Sequence, residues 1–272
     1  MHKAIRLTAL TLAMAAAGAI AGPSRPAVEL SPGALLHAQL RAAQMQAHRR
    51  PRLPPGYSTS VGDPDSFGRS VRYAGMIASA FIDVEESGGC LPSSDPADQC
   101  VIVNPQPQLT SFSFNDMGHI TLPGNSTHSL LCFQMTSLNS WMFQNNTASP
   151  QEAQIAFNES VTIESALLDD PSLINPVTGQ PFNGSLTAPI GLLSEHWGTL
   201  QPGADEGDSG WVTRACQAGA ISKQALKEDY GLPDSIVNQF FQRPITLRLN
   251  ASGRAQMVQF AGASFGVRFY GD

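Results

Sequence analysis

From Val71 onward the apolar residues recur every second position or in short runs. The segments are Val71 to Val84, Val101 to Val103, Leu109 to Phe114, His119 to Leu122, Ser129 to Met135, Asn139 to Phe143, Gln154 to Ile163, Ile245 to Leu249, Gln256 to Phe260 and Ser264 to Tyr270. Clusters of Gly, Pro, Asn and Ser separate them. A period of two places alternate side chains on opposite faces of a strand, so these segments predict half-buried, mostly antiparallel strands. The fold class expected is mostly β, an antiparallel β-sandwich-like domain with a two-helix insertion near the C-terminus. The last three segments read as a meander, with turns at Asn250 to Gly253 and Ala261 to Ala263.

The insertion spans 222–241. Ser222 is placed to cap a helix over Lys223 to Tyr230, Gly231 to end it in a left-handed conformation, and Pro233 to start a second helix with Ile236/Phe240 and Val237/Phe241 four apart. Two joined helices also suggest a DNA-binding motif, which the negative charge opposes. Asp169 to Pro189, with four prolines and the Thr178-Gly179 and Asn183-Gly184 pairs, reads as an extended loop.

Charge is distributed unevenly. Between Arg72 and Arg214 there is neither Lys nor Arg, yet fifteen carboxylates lie there, and seven cations follow from Arg214 to the end. The central carboxylates therefore draw cationic partners from the chain ends or from solvent. If Arg243, Arg248, Arg254 and Arg268 serve, the last strands return to lie beside earlier ones. An alternative is a cation such as Ca²⁺ held by Asp205, Glu206 and Asp208, or by Asp169-Asp170. No EF-hand pattern accompanies them, and no metal is assigned.

Met1 to Arg6 carries two cations, Leu7 to Ala21 is uncharged and apolar, and Ala19-Ile20-Ala21 offers small residues before Gly22-Pro23. That pattern predicts a signal peptide over 1–21, too short to span a bilayer, and hence an exported protein, periplasmic or extracellular. Thirteen Arg against three Lys and the Ala-rich signal suggest a bacterium. A Pro- and Arg-rich leader, 22–66, follows, with a helix predicted over Pro32 to His48, and 67–272 forms the single β domain. No later stretch is suited to a transmembrane helix. In an oxidising compartment Cys90 and Cys100 are expected to pair across a turn-forming insert, leaving Cys132 with Cys216. Their spacings contain no C-x-x-C knuckle and so no zinc site.

Gly207-Asp208-Ser209-Gly210 resembles the signature of the trypsin-like serine peptidases. The resemblance implies Ser209 as nucleophile, with His128 and then Asp169 or Asp170 in the His, Asp, Ser order. Trp211 stands where that family has a second glycine, and Ser126-Thr127-His128-Ser129 departs from its histidine context. The resemblance covers four residues. Trp141, Trp197 and Trp211 are the candidate binding residues, suited to stacking on sugar rings or to packing.

Neither a P-loop nor a Rossmann glycine pattern is present, so no nucleotide cofactor is expected. A net charge of −6 with neutral histidines argues against a nucleic-acid partner. The reading reached is an exported, disulfide-containing, acidic β-rich protein, a non-enzymatic binding or structural component with an envelope or extracellular partner. A secreted serine hydrolase using Ser209 is the alternative.

Overall fold

Residues 65, 67–69, 73–84, 89–90, 97–191, 194–215 and 221–272 are described by a computed structural model. The expected signal peptide, the leader helix and Cys216 lie outside these residues. Alternation builds the first sheet: β1 (Tyr73–Asp83) buries Ala74, Met76, Ala78, Ala80 and Ile82 on one face. It pairs in parallel with β2 (Asp98–Ile102) and antiparallel with β11 (Val258–Gly271). The sheet continues through β4 (Leu130–Gln144) to β8 (Asp205–Ala215), and the short β9 (Ile221–Ser222) pairs with the start of β4.

The second sheet runs β3 (Thr110–Leu122), β10 (Ile245–Gln256), β5 (Gln151–Glu164). The far edge of β5 is shared by β6 (Ser185–Pro189) and β7 (Ser194–Leu200). β1 lies over β3 and β10, β11 over β5, and β4 over β5 and β7. Between the layers Phe133, Met135, Phe265 and Phe269 meet Ile155, Phe157, Val161, Ile163, Leu247 and Leu249 in one core. Each such side chain contributes roughly 1.5–3 kcal/mol when fully buried, which makes the inner faces the main source of stability. The sandwich-like fold and the helical insertion are both present.

The expected meander is not. β10 and β11 are continuous strands in different sheets, and the chain crosses between layers at Met257, which takes a φ of 57°. Asn250 to Gly253 lies inside β10, and Ala261 to Ala263 inside β11. These small residues serve close approach instead of turning: a Cβ on Gly253 would sit 1.8 Å from the Ala156 carbonyl oxygen. Two further segments merge. Leu109 to Phe114 and His119 to Leu122 belong to one strand, β3, broken by a register shift at Asp116, whose φ is 54° and whose N–H donates to the Asn250 side chain.

The presumed loop is partly structured too. Ser165 caps a 3₁₀ turn over Ala166–Asp169, Ile174 bridges Pro181, and Ser185–Pro189 forms β6.

The helices follow the sequence closely. α1 (Lys223–Glu228) is capped by the Ser222 hydroxyl, which accepts from the Ala225 N–H. Gly231 is left-handed (φ 67°), and Pro233 precedes α2 (Asp234–Phe240). Leu226, Val237, Phe240 and Phe241 join the core. Cys90 and Cys100 are bonded; Cys132 is also disulfide-bonded, and none of the described cysteines is free. Arg248 on β10 reaches Glu164 at 2.7 Å and Asp116 at 2.8 Å, and Arg254 pairs with Glu195. Two C-terminal arginines thus neutralise central carboxylates, as the charge map anticipated. No described helix is long and apolar enough to cross a membrane.

Candidate functional site

The edges of a sandwich expose unpaired backbone groups, and this protein treats its two sides differently. On one side Gln99 of β2 donates to the Asn115 carbonyl of β3, tying the sheets together. On the other, β6 is approached by Tyr230, whose hydroxyl donates to the Thr187 carbonyl. Beyond β6 the edge consists of β7 and β8, which pair only with β5 and β4 respectively. They lie in different sheets and are joined by a turn at Gln201 to Ala204.

Asn145, wholly buried, anchors that turn. Its side chain donates to the Leu200 carbonyl at 2.8 Å, its N–H to the Ala204 carbonyl at 3.1 Å, and its carbonyl accepts from Gly203, which is left-handed (φ 73°).

A cleft of about 250 Å³ opens between β7 and β8, lined by Trp141, Phe143, Ala153, His196 and Leu200, with Glu195, Trp197 and Glu206 around it. Register explains the lining. Trp141 and Phe143 face inward from β4, and directly opposite them on β8 stand Asp208 and Glu206. The Trp141 ring stacks on His196 at 5.1 Å and on Phe143 at 4.5 Å between centroids. Trp197 points away on the outer face of β7 and is 77% exposed. An aromatic wall bordered by carboxylates suits a flat apolar group or a cation lying over a ring face.

The proposed triad residues stand apart. Ser209 lies opposite Ser140 on β8, whereas His128 precedes Leu130 at the other end of β4. Ten residues of strand separate Leu130 from Ser140, about 33 Å. Asp169 closes the 3₁₀ turn beyond the end of β5, in the other sheet. Asp208 accepts the backbone N–H of Ser209 at 2.7 Å, a local turn-like contact. The three tryptophans do not form one platform either: Trp141 faces inward, Trp197 lies on the outer face of one sheet and Trp211, 73% exposed, on that of the other. Of the candidate metal residues, Glu206 and Asp208 share the cleft side of β8 and Asp205 points to the opposite face. Among the described residues no group of three or more His, Cys, Asp or Glu is placed to hold a metal.

Two carboxylates escaped sequence reasoning. Glu159 occupies the inward phase of β5, between Phe157 and Val161, and is 1% exposed. Burial pushes its pKa up, against hydrogen bonding from its own backbone N–H and from the Ser137 hydroxyl at 3.3 Å. Its position in the apolar alternation was the available signal. Asp272 is the other. Its Oδ1 accepts from the N–H groups of His128, Ser129 and Leu130 at 2.9, 2.9 and 3.1 Å and from the Thr127 hydroxyl, and Oδ2 accepts from the Ser129 hydroxyl. Desolvation raises the Asp272 pKa, but these hydrogen bonds outweigh it and hold the carboxyl far below the usual range.

No family model matches this chain. No curated protein matches it either. Among solved structures, that of the Gx strain of infectious bursal disease virus is 12% identical with a TM-score of 0.22, covering 82% of this chain and 36% of that one. A crystal structure of the same virus's particle is 13% identical with a TM-score of 0.14, covering 80% and 42%. A mutant VP2 protein of that virus is 11% identical with a TM-score of 0.13, covering 81% and 44%. This chain spans less than half the length of each of these chains.

Proposed function

We propose that this protein is an exported, non-enzymatic binding or structural component of the cell envelope or exterior, and that it binds through its β7/β8 side. The observation that carries the reading is the pair of exposed tryptophans, Trp197 and Trp211, on consecutive strands that have no neighbour on one edge among the described strands. Tryptophans are enriched where protein surfaces meet, and these two flank the same side of the sandwich, one on the outer face of each sheet. The disulfide-bonded cysteines fit an oxidising compartment, and the signal-like N-terminus supports export. The separation of Ser209, His128 and Asp169 supports a role without acyl transfer.

Retention of the full chain on envelopes isolated from its own cells tests the binding role. The Trp197→Ala/Trp211→Ala variant is expected to wash off while melting at the wild-type temperature. Equal retention of variant and wild type would sink the reading. A fluorophosphonate probe tests the catalytic side: specific labelling that disappears in Ser209→Ala would establish a hydrolase instead.

A further inference from the structure

β8 contributes eleven residues to its sheet, and its register with β4 runs without a break from Asp205↔Gln144 to Ala215↔Gln134. Its other edge has no neighbour among the described strands. Along that edge alternate residues turn their N–H and C=O groups outward, a ready ladder for one more strand. Edges of this length are commonly blunted by Pro, a bulge or charged side chains; β8 has neither Pro nor a bulge, and its charges, Asp205, Glu206, Asp208 and Arg214, select what can add.

Its charge restricts what can add to it. Asp205, Glu206 and Asp208 fall within four positions and make no ion pair with the described residues, whereas Glu195 across the cleft is matched by Arg254. The only cation on β8 is Arg214, near its far end, where it donates to the Gly191 carbonyl at 2.6 Å. Pairing β8 in parallel with the β8 of a second copy would bring two such acidic segments together, and like charges on paired strands are destabilising; antiparallel pairing would set three carboxylates against the one cation Arg214, which the Gly191 carbonyl already engages. An added strand of opposite sign gains instead. Side chains on its cleft side meet Glu206 and Asp208, and the alternate side chains lie on the outer face of β8, the face that carries Trp211.

We propose that the outer edge of β8 is a strand-addition site for an extended segment of a partner protein bearing Arg or Lys at alternate positions. This deepens the reading of the β7/β8 side as a binding surface and rests on it.

The test is calorimetric titration of the full chain with a synthetic peptide of alternating Arg and Thr, matched to β8 in length. Two control peptides accompany it, one N-methylated at every backbone nitrogen and one with Glu for Arg. The Arg–Thr peptide is expected to bind one-to-one, and the N-methylated peptide to bind at least about tenfold more weakly despite equal charge. The Glu peptide is expected not to bind. Glu206→Gln/Asp208→Asn, checked by its melting temperature, is expected to lose about tenfold in affinity for the Arg–Thr peptide.

Equal binding of the N-methylated and unmodified peptides would show charge attraction without strand pairing and overturn the proposal. So would absence of Arg–Thr binding, or dimerisation of the protein through this edge. Envelope retention that depends on Trp197 and Trp211 while no Arg–Thr peptide binds would defeat this proposal and leave the broader reading standing. Loss of both would defeat both.

Discussion

Across the interior of the sandwich the Glu159 carboxyl on β5 and the Ser137 hydroxyl on β4 stand 3.3 Å apart, and the second carboxyl oxygen, Oε2, makes no hydrogen bond. Ser137 in turn donates to the Asn139 side chain at 2.9 Å, so its hydroxyl is shared. A buried carboxyl with half its acceptor capacity unmet costs stability when ionised.

Because the folded-state pKa of Glu159 is raised, the native state binds a proton that the unfolded chain releases. The protein is therefore expected to lose stability as pH rises from the unfolded pKa through the raised one. Glu159→Gln removes the ionisation while keeping the shape, and should raise stability at neutral pH by roughly 1–3 kcal/mol. Melting temperatures of both proteins, followed upward in pH from the ordinary carboxyl pKa, check this. A variant that melts lower than wild type at neutral pH would refute it.

Asp272 titrates with the opposite sign. Its folded-state pKa is depressed by the hydrogen bonds of Ser129, Thr127 and the neighbouring N–H groups, which overcome desolvation. The stability it supplies is present above the unfolded carboxyl pKa and is lost as pH falls below that value toward the folded one. Asp272→Ala should lower the melting temperature at neutral pH, and the gap to wild type should narrow in acid. A gap that is constant with pH would show that the carboxylate contributes no charge-dependent stability.

Gly253→Ala tests the close approach of β10 to β5. The added Cβ would fall 1.8 Å from the Ala156 carbonyl oxygen and 2.5 Å from the Phe112 ring. Relief requires the strands to separate, so a loss above roughly 2 kcal/mol is expected. Gly198→Ala on β7, where an added Cβ meets nothing within 4 Å, is the control and should change stability far less. Urea denaturation compares the two, and equal midpoints would contradict the packing described.

The Cys90–Cys100 bond closes a short loop, with a sequence separation of 10, between β1 and β2. Non-reducing peptide mapping should recover the two cysteines in one linked fragment. Cys90→Ser/Cys100→Ser should cost about 2–3 kcal/mol through the freer unfolded chain. Linkage of Cys90 or Cys100 to Cys132 in the mapped protein would show a different pairing.

What the sequence determined by itself was the layered β class and the local punctuation of the chain. Alternation reports which face of a strand is apolar, and caps such as Ser222 or terminators such as Gly231 act on their own neighbours, so both are legible residue by residue. The absence of Lys and Arg between Arg72 and Arg214 left the chain ends or solvent as the source of cationic partners, and Arg248 and Arg254 supply three of these contacts. Tertiary structure decided the rest. β7 and β8 were missed because an acidic, glycine-bearing edge strand has little apolar signal and depends on pairing with β5 and β4 for its shape. The meander was misread because a glycine that turns a chain and one that lets a neighbouring strand approach look identical in sequence, and only the Ala156 carbonyl beside Gly253 distinguishes them. Which edge stays open, and which carboxylate is buried unpaired, depends on contacts between segments far apart along the chain; local preference carries no record of those.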